Sequence, residues 1–400
     1  MTDHHRLDRR TLLAIAAGGG VAFATTASAA ARQDASPAAS PEASPAAPAG
    51  GGLPPLPRGA TPVAQGLWNP GDITLGPDGT IYIAETGVAG GGTDEPAKAT
   101  PLPNGTPVTA APPLVPPQIS LVAPDGTQAV LTTEIGGVGI GVRDDEVYVS
   151  TGGGSVGSGF APLPQENTVS AFDLSTQEAR VIASLGTYEV ANNPDGLDVN
   201  PNLYGLAVAE DGTIYVADAG GNTIYTVDPA TGDFALFAVV PNLTELTGAT
   251  PTAEEAAMQP GPRQPVPTSV VVNDDGSVTV ALLGESWDGP SLLTFTADGS
   301  SYTAHDVRIP MIVSATRGPD GFLYVCQLTA DLANPQTPPG GVFRLDADLT
   351  TAEQVAEGFF PHGIAFSSVG HLFVTLNSII SGPDAPLGMV VRFDHVATPA

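Results

Sequence analysis

His362 opens a β-rich phrase, FFPHGIAF, and two residues that could serve it, Asp72 in WNPGDITL and Ser314 in MIVSATRG, open matching phrases elsewhere in the chain. An imidazole with a carboxylate and a hydroxyl in reach is the raw material of general acid–base or nucleophilic chemistry. The other candidate histidines are badly placed for it. His305 falls in an outer strand (TAHDV), His371 in a tight turn, and His395 beyond the last strand. Asp72 also leads a thin set of oxygen ligands, with Asn69 and Asn202, for which calcium is the cofactor to consider. A hard cation takes six to eight oxygens, so three from two repeats make a poor cage.

A second group of candidates suits recognition better than catalysis. Trp68 and Trp287, with Tyr204, Phe360 and Tyr188, fall on long connections where a planar or apolar ligand could stack. Thr268 and Glu285 open and follow strands beside them. Asn193 and Asp195, in the run NNPDG, carry oxygens but are also ordinary turn formers. The glycine runs at 87–92 and 152–154 lack the helix and lysine of a phosphate cradle.

These residues recur in register because the chain repeats. VAQGLWNPGDITLGPDGTIYI (Val63–Ile83) matches VAEGFFPHGIAFSSVGHLFV (Val355–Val374) once Asn69 is skipped. Four further copies lie between, in GIGVRDDEVYVS, GLAVAEDGTIYVAD, SVVVNDDGSVTVAL and SATRGPDGFLYVCQ. The second strand of each copy starts at Ile81, Val147, Ile214, Val278, Leu323 and Leu372. Such spacing, roughly 45 to 67 residues, suits one four-stranded antiparallel sheet per repeat. The expected fold is therefore all-β, a six-bladed β-propeller over residues 58–396. The last repeat ends at its third strand, MVVRFD, so Ala60–Leu67 is predicted to supply the fourth and close the ring against Met389–Asp394.

Aligned on His362, the residues opening the inner strands are Gly71, Val138, Tyr204, Thr268, Val313 and His362, followed by Asp72, Gly139, Gly205, Ser269, Ser314 and Gly363. They ring one channel mouth, and the long, varied connections gather on that face while the opposite face has tight turns.

The chain begins with a segment that does not belong to the fold. Residues 1–30 carry Arg9-Arg10, a short apolar run and an Ala27-Ser28-Ala29 cleavage pattern, which reads as a twin-arginine signal peptide. Residues 31–57 are nearly all Ala, Pro, Ser and Gly, a disordered tether. An extracytoplasmic location follows, with no transmembrane segment in the mature chain and a monomer as the expected state. The net charge is -29 and Lys98 is the single lysine, which argues against nucleic acid and anionic membranes as partners. A small molecule or a secreted protein is the expected partner. Cys326 is the single cysteine, so no disulfide within the chain stabilises the fold.

The loop YEVANNPDG (Tyr188–Gly196), followed by NPNLYGLAV, DAGGN (218–222), VPTSV (266–270) and LLGES (282–286), resembles the ScyD/ScyE family, secreted NHL-like propellers associated with scytonemin gene clusters in cyanobacteria. The resemblance spans most of 58–396. It departs at Gly71-Asp72, where the family pattern has Arg-Gly, and in the long Pro/Thr-rich insertion at 95–117. It implies a propeller and export, and no particular activity. Two function classes stay open: a binding propeller, and a calcium-dependent lactonase-like or strictosidine-synthase-like hydrolase or lyase.

Overall fold

The computed structural model describes residues 55–88, 108–109, 114–153, 160–161, 165–248, 263–284, 289–330 and 339–399. Residues 1–30 and most of 31–57, the bulk of the 95–117 insertion, and Glu285 and Trp287 lie outside the described residues. Among the described residues no helix is long and apolar enough to cross a membrane.

The repeated alternation of Val, Ile, Tyr and Thr builds six four-stranded antiparallel sheets set in a ring, a six-bladed β-propeller. Blade 1 runs, inner to outer, through Pro70–Leu75, Ile81–Glu85, Gln118–Val122 and Gln128–Thr132. Blade 3 does so through Leu203–Val208, Ile214–Asp218, Thr223–Val227 and Phe234–Val239. The first two strands of blades 1, 3, 4, 5 and 6 meet at a glycine with positive φ, as at Gly79 (86°) and Gly212 (96°), a conformation that penalises any Cβ. In blades 1 and 3 the preceding aspartate accepts the N–H two residues on, Thr80 N to Asp78 Oδ1 at 2.9 Å and Thr213 N to Asp211 Oδ1 at 2.9 Å, so Asp-Gly makes the turn by itself.

The ring closes as the duplicated ends predict. Ala60–Leu67 pairs antiparallel with Gly388–Phe393 as the outer strand of blade 6, from Ala60 opposite Phe393 to Leu67 opposite Gly388. Asn69, the residue that interrupts the match between the two ends, has a use here. It adopts φ 50° and donates from Nδ2 to the Gly87 carbonyl at 2.8 Å, while its Oδ1 accepts Ser381 N at 2.8 Å. One side chain thus ties the last blade's loop to the first blade.

Among the described residues two short helices interrupt the all-β plan. α1 (Gly186–Asn192) forms where the sequence reads as loop, because Tyr188 packs edge-on against Tyr225 and Phe234, at 5.8 and 5.7 Å between centroids. Asn193 ends it in the left-handed conformation, its N–H returning to the Glu189 carbonyl. α2 (Leu243–Thr247) starts with a capping box of Asn242 and Glu245.

Candidate functional site

The inner strands converge on a channel whose long-loop end is filled by side chains from opposite blades. Tyr204, from blade 3, places its hydroxyl 2.6 Å from Nε2 of His362, from blade 6, and the two rings stack at 5.5 Å and 25°. On the other side of the imidazole, Nδ1 faces Asp72 Oδ1 at 3.6 Å. This is too long for a hydrogen bond, and neither of those two atoms has another partner. All three residues are buried, His362 at 2% exposure and Tyr204 at 0%. Burial pushes the Tyr204 phenol well above its usual range, and the Asp72 charge adds to the effect. The Cys326 thiol is raised in the same way, first by burial and then by Asp72. The result is a carboxylate–imidazole–phenol series sealed in the channel, with an inert thiol nearby.

A belt of bonds between blades explains why neighbouring positions are small. A Cβ on Gly71, Gly139 or Gly205 would come within about 2.5 Å of the next blade's carbonyl, at Val138, Tyr204 and Thr268 respectively. Gly363 abuts the Cα of Asp72 just as closely. Hydroxyls fasten the same joints: Ser150 donates to the Tyr204 carbonyl, Thr268 to Ile312 at 2.7 Å and Thr375 to Gly71 at 2.9 Å. The small column is a packing requirement of the ring.

The remaining candidates serve the scaffold of the long-loop face. Thr268 is one of the belt hydroxyls. Asn193 caps α1 and donates from Nδ2 to Leu197 O at 2.7 Å, and Asp195 accepts from Leu197 N at 2.9 Å and Asn222 Nδ2 at 2.7 Å. Asn69 is occupied in the closing contact, and Asn202 Oδ1 accepts Gly153 N at 3.2 Å. Among the described residues no three His, Cys, Asp or Glu side chains gather in a metal-holding group. At the channel centre Asp72 supplies one carboxylate, beside the imidazole of His362 and the phenol of Tyr204. Trp68 is half-buried at the face, its backbone N–H donating to Glu85.

Glu85 and Asp218 were not among the sequence candidates. Each ends the second strand of its blade and each is fully buried. Glu85 accepts Gln118 Nε2 at 2.8 Å, the Ser120 hydroxyl and Trp68 N, yet burial outweighs these bonds and raises its pKa. Asp218 Oδ1 accepts the N–H groups of Asn202 (2.7 Å), Gly220 (3.1 Å) and Gly221 (2.8 Å). The signal was available: the strand-end column reads Glu85, Thr151, Asp218, Leu282, Gln327 and Leu376, two carboxylates in a buried, otherwise uncharged series.

With the ring and its centre in view, solved propellers can be compared. A putative gluconolactonase superposes with a TM-score of 0.50 at 10% identity, over 86% of this chain and 94% of its own. Regucalcin, described as a calcium-binding protein, from Agrobacterium tumefaciens strain C58 gives 0.49 at 12%, over 84% and 91%. Virginiamycin B lyase from Staphylococcus aureus gives 0.46 at 13%, over 84% and 98%. At these identities the likeness is one of fold. No protein-family model matches the chain, and no curated protein matches it in sequence.

Proposed function

We propose that this chain is an exported, ScyD/ScyE-like propeller that binds a small molecule or a secreted protein on its long-loop face. The observation that carries the reading is the contact of Tyr204 with His362, which fills the channel from opposite blades and turns recognition outward to the surrounding loops. The half-buried Trp68 lies on that face, where its ring offers a stacking surface. The acidic surface and the leader support an extracytoplasmic site of action, with neither nucleic acid nor an anionic membrane as partner. Thermal-shift screening of planar aromatic compounds and lactones tests this reading. Ligand-induced stabilisation that disappears in Trp68→Ala supports it, and stabilisation unaffected by Trp68→Ala and by substitutions across the loops contradicts it.

A second reading has one specific observation in its favour. Asp72, His362 and Tyr204 stand in the order of an acid–base series, with the imidazole between a carboxylate and a phenol. A hydrolase or lyase would use His362 to move a proton at Nε2 and Asp72 to stabilise the imidazolium. Such chemistry requires Tyr204 to move aside and admit substrate.

A further inference from the structure

Away from the channel, a second group of buried oxygens lies between blades 2 and 3. Asp218 and Thr223 are directly opposed across the second and third strands of blade 3, so their side chains share one face, and Tyr225 follows two residues on along that face. α1 lies over it, with Tyr188 against Tyr225, and carries Glu189 inward. Glu189, Asp218, Thr223 and Tyr225 are all 0% exposed. The point at which a Gly221 side chain would begin lies 2.9 Å from Asp218 Oδ2 and 3.1 Å from Glu189 Oε2. Two carboxylate oxygens therefore look into a space that exists because residue 221 is glycine.

The hydroxyls provide the independent observation. By hydrogen-bond geometry neither Thr223 Oγ1 nor Tyr225 Oη, both buried, has a partner, although Thr223 lies near enough to the Tyr225 phenol to lower it against the larger effect of burial. Buried hydroxyls are rarely left so, and an ion or water at the site is the usual reason. Burial raises the Tyr225 phenol, and the charges of Asp218 and Glu189 add to the effect.

The geometry points to a divalent-cation site of the calcium class, held by Glu189, Asp218, Thr223 and Tyr225 in the space left by Gly221. All four groups offer oxygen, the donor set of a hard cation rather than of zinc or copper, and water would complete the six to eight positions. Its place between α1 and the two blades makes it a fastener of the NNPDG and DAGGN segments on the long-loop face. It is separate from the channel group of Asp72, His362 and Tyr204.

The mature protein, purified without chelator, provides the test. Terbium, a luminescent substitute for calcium, is titrated with excitation through tyrosine, and melting is followed with calcium and with chelator. The wild type is expected to show saturable, calcium-displaceable emission and a lower melting temperature in chelator. Glu189→Gln and Gly221→Ala should weaken terbium binding at least tenfold, Tyr225→Phe should dim the emission, and Asp306→Asn, at an exposed carboxylate of blade 4, should leave terbium binding unchanged. If Gly221→Ala does not fold, Tyr225→Phe, which removes only one hydroxyl, carries the comparison. Absence of saturable emission overturns the site, as does calcium stabilisation that is equal in wild type and Glu189→Gln. A Glu189→Gln protein more stable than a calcium-insensitive wild type would also overturn it, and would mean that the carboxylates share a proton.

Discussion

The Tyr204 hydroxyl and Nε2 of His362 meet at 2.6 Å across the channel, joining blade 3 to blade 6 on opposite sides of the ring. Contacts between neighbouring blades are repeated around the molecule; this one spans it. Tyr204→Phe leaves a buried imidazole nitrogen without its partner, which costs on the order of 1–3 kcal/mol. Denaturant unfolding of the two proteins measures the loss, and a change below about 0.5 kcal/mol would mean that the contact contributes little to the ring.

The closure between blades 6 and 1 depends on Asn69 for its backbone as well as its side chain. Asn69→Gly keeps the left-handed conformation and loses the bonds to Gly87 and Ser381, whereas Asn69→Ala loses both. The alanine variant should be the less stable by about 1 kcal/mol, the cost of a Cβ at positive φ. Leu67, buried at 1% in the closing strand, should cost about 2–5 kcal/mol as alanine. Removing residues 1–57 should leave the unfolding midpoint unchanged, and removing residues 1–67 should abolish cooperative unfolding.

Two kinds of carboxylate give opposite pH dependences. Buried Glu85 has its pKa raised above 4.5 in the fold, chiefly by desolvation, so the folded state holds its proton to higher pH than the unfolded chain does. Its contribution is thus most favourable below that value and is lost as pH rises through the raised folded pKa. The turn aspartates run the other way. Hydrogen bonds from Thr296 and Ser300 lower Asp298 to about 2, and Thr350 and Thr351 lower Asp346, so their contributions are present above 3.8 and lost on acidification below it. Stability measured against pH should fall steeply below about pH 3.8, and Glu85→Gln should flatten only the limb above pH 4.5.

Cys326 should behave as a small apolar residue. It is fully buried and its thiol is raised well above the ordinary range. Thiol reagents should leave the native protein unmodified and label one equivalent after unfolding, and rapid labelling of the native state would contradict the packing around the channel.

The ring itself was legible in the sequence because Asp-Gly turns and alternating strands recur at intervals that local chemistry dictates. The closing strand was legible because VAQGL and VAEGF are the same element at two ends. The proximity of Asp72 to His362 could be read from neighbouring positions in adjacent repeats. The pairing of Tyr204 with His362 could not, because the reach of a ring across a channel depends on channel width, which no column of residues records. α1 was missed since GTYEVAN is too short to show a helical period, and its order comes from Tyr188 packing on blade 3. Missing the helix also hid Glu189, whose burial follows only from where α1 lies.

The most direct test of a closed channel and an outward-facing recognition surface is turnover. Folded wild type and His362→Ala should be assayed side by side against sugar lactones and a cyclic depsipeptide lactone. The account predicts no conversion by wild type above that of His362→Ala. Conversion by wild type that is lost in His362→Ala would contradict it and make Asp72, His362 and Tyr204 the centre of an enzyme.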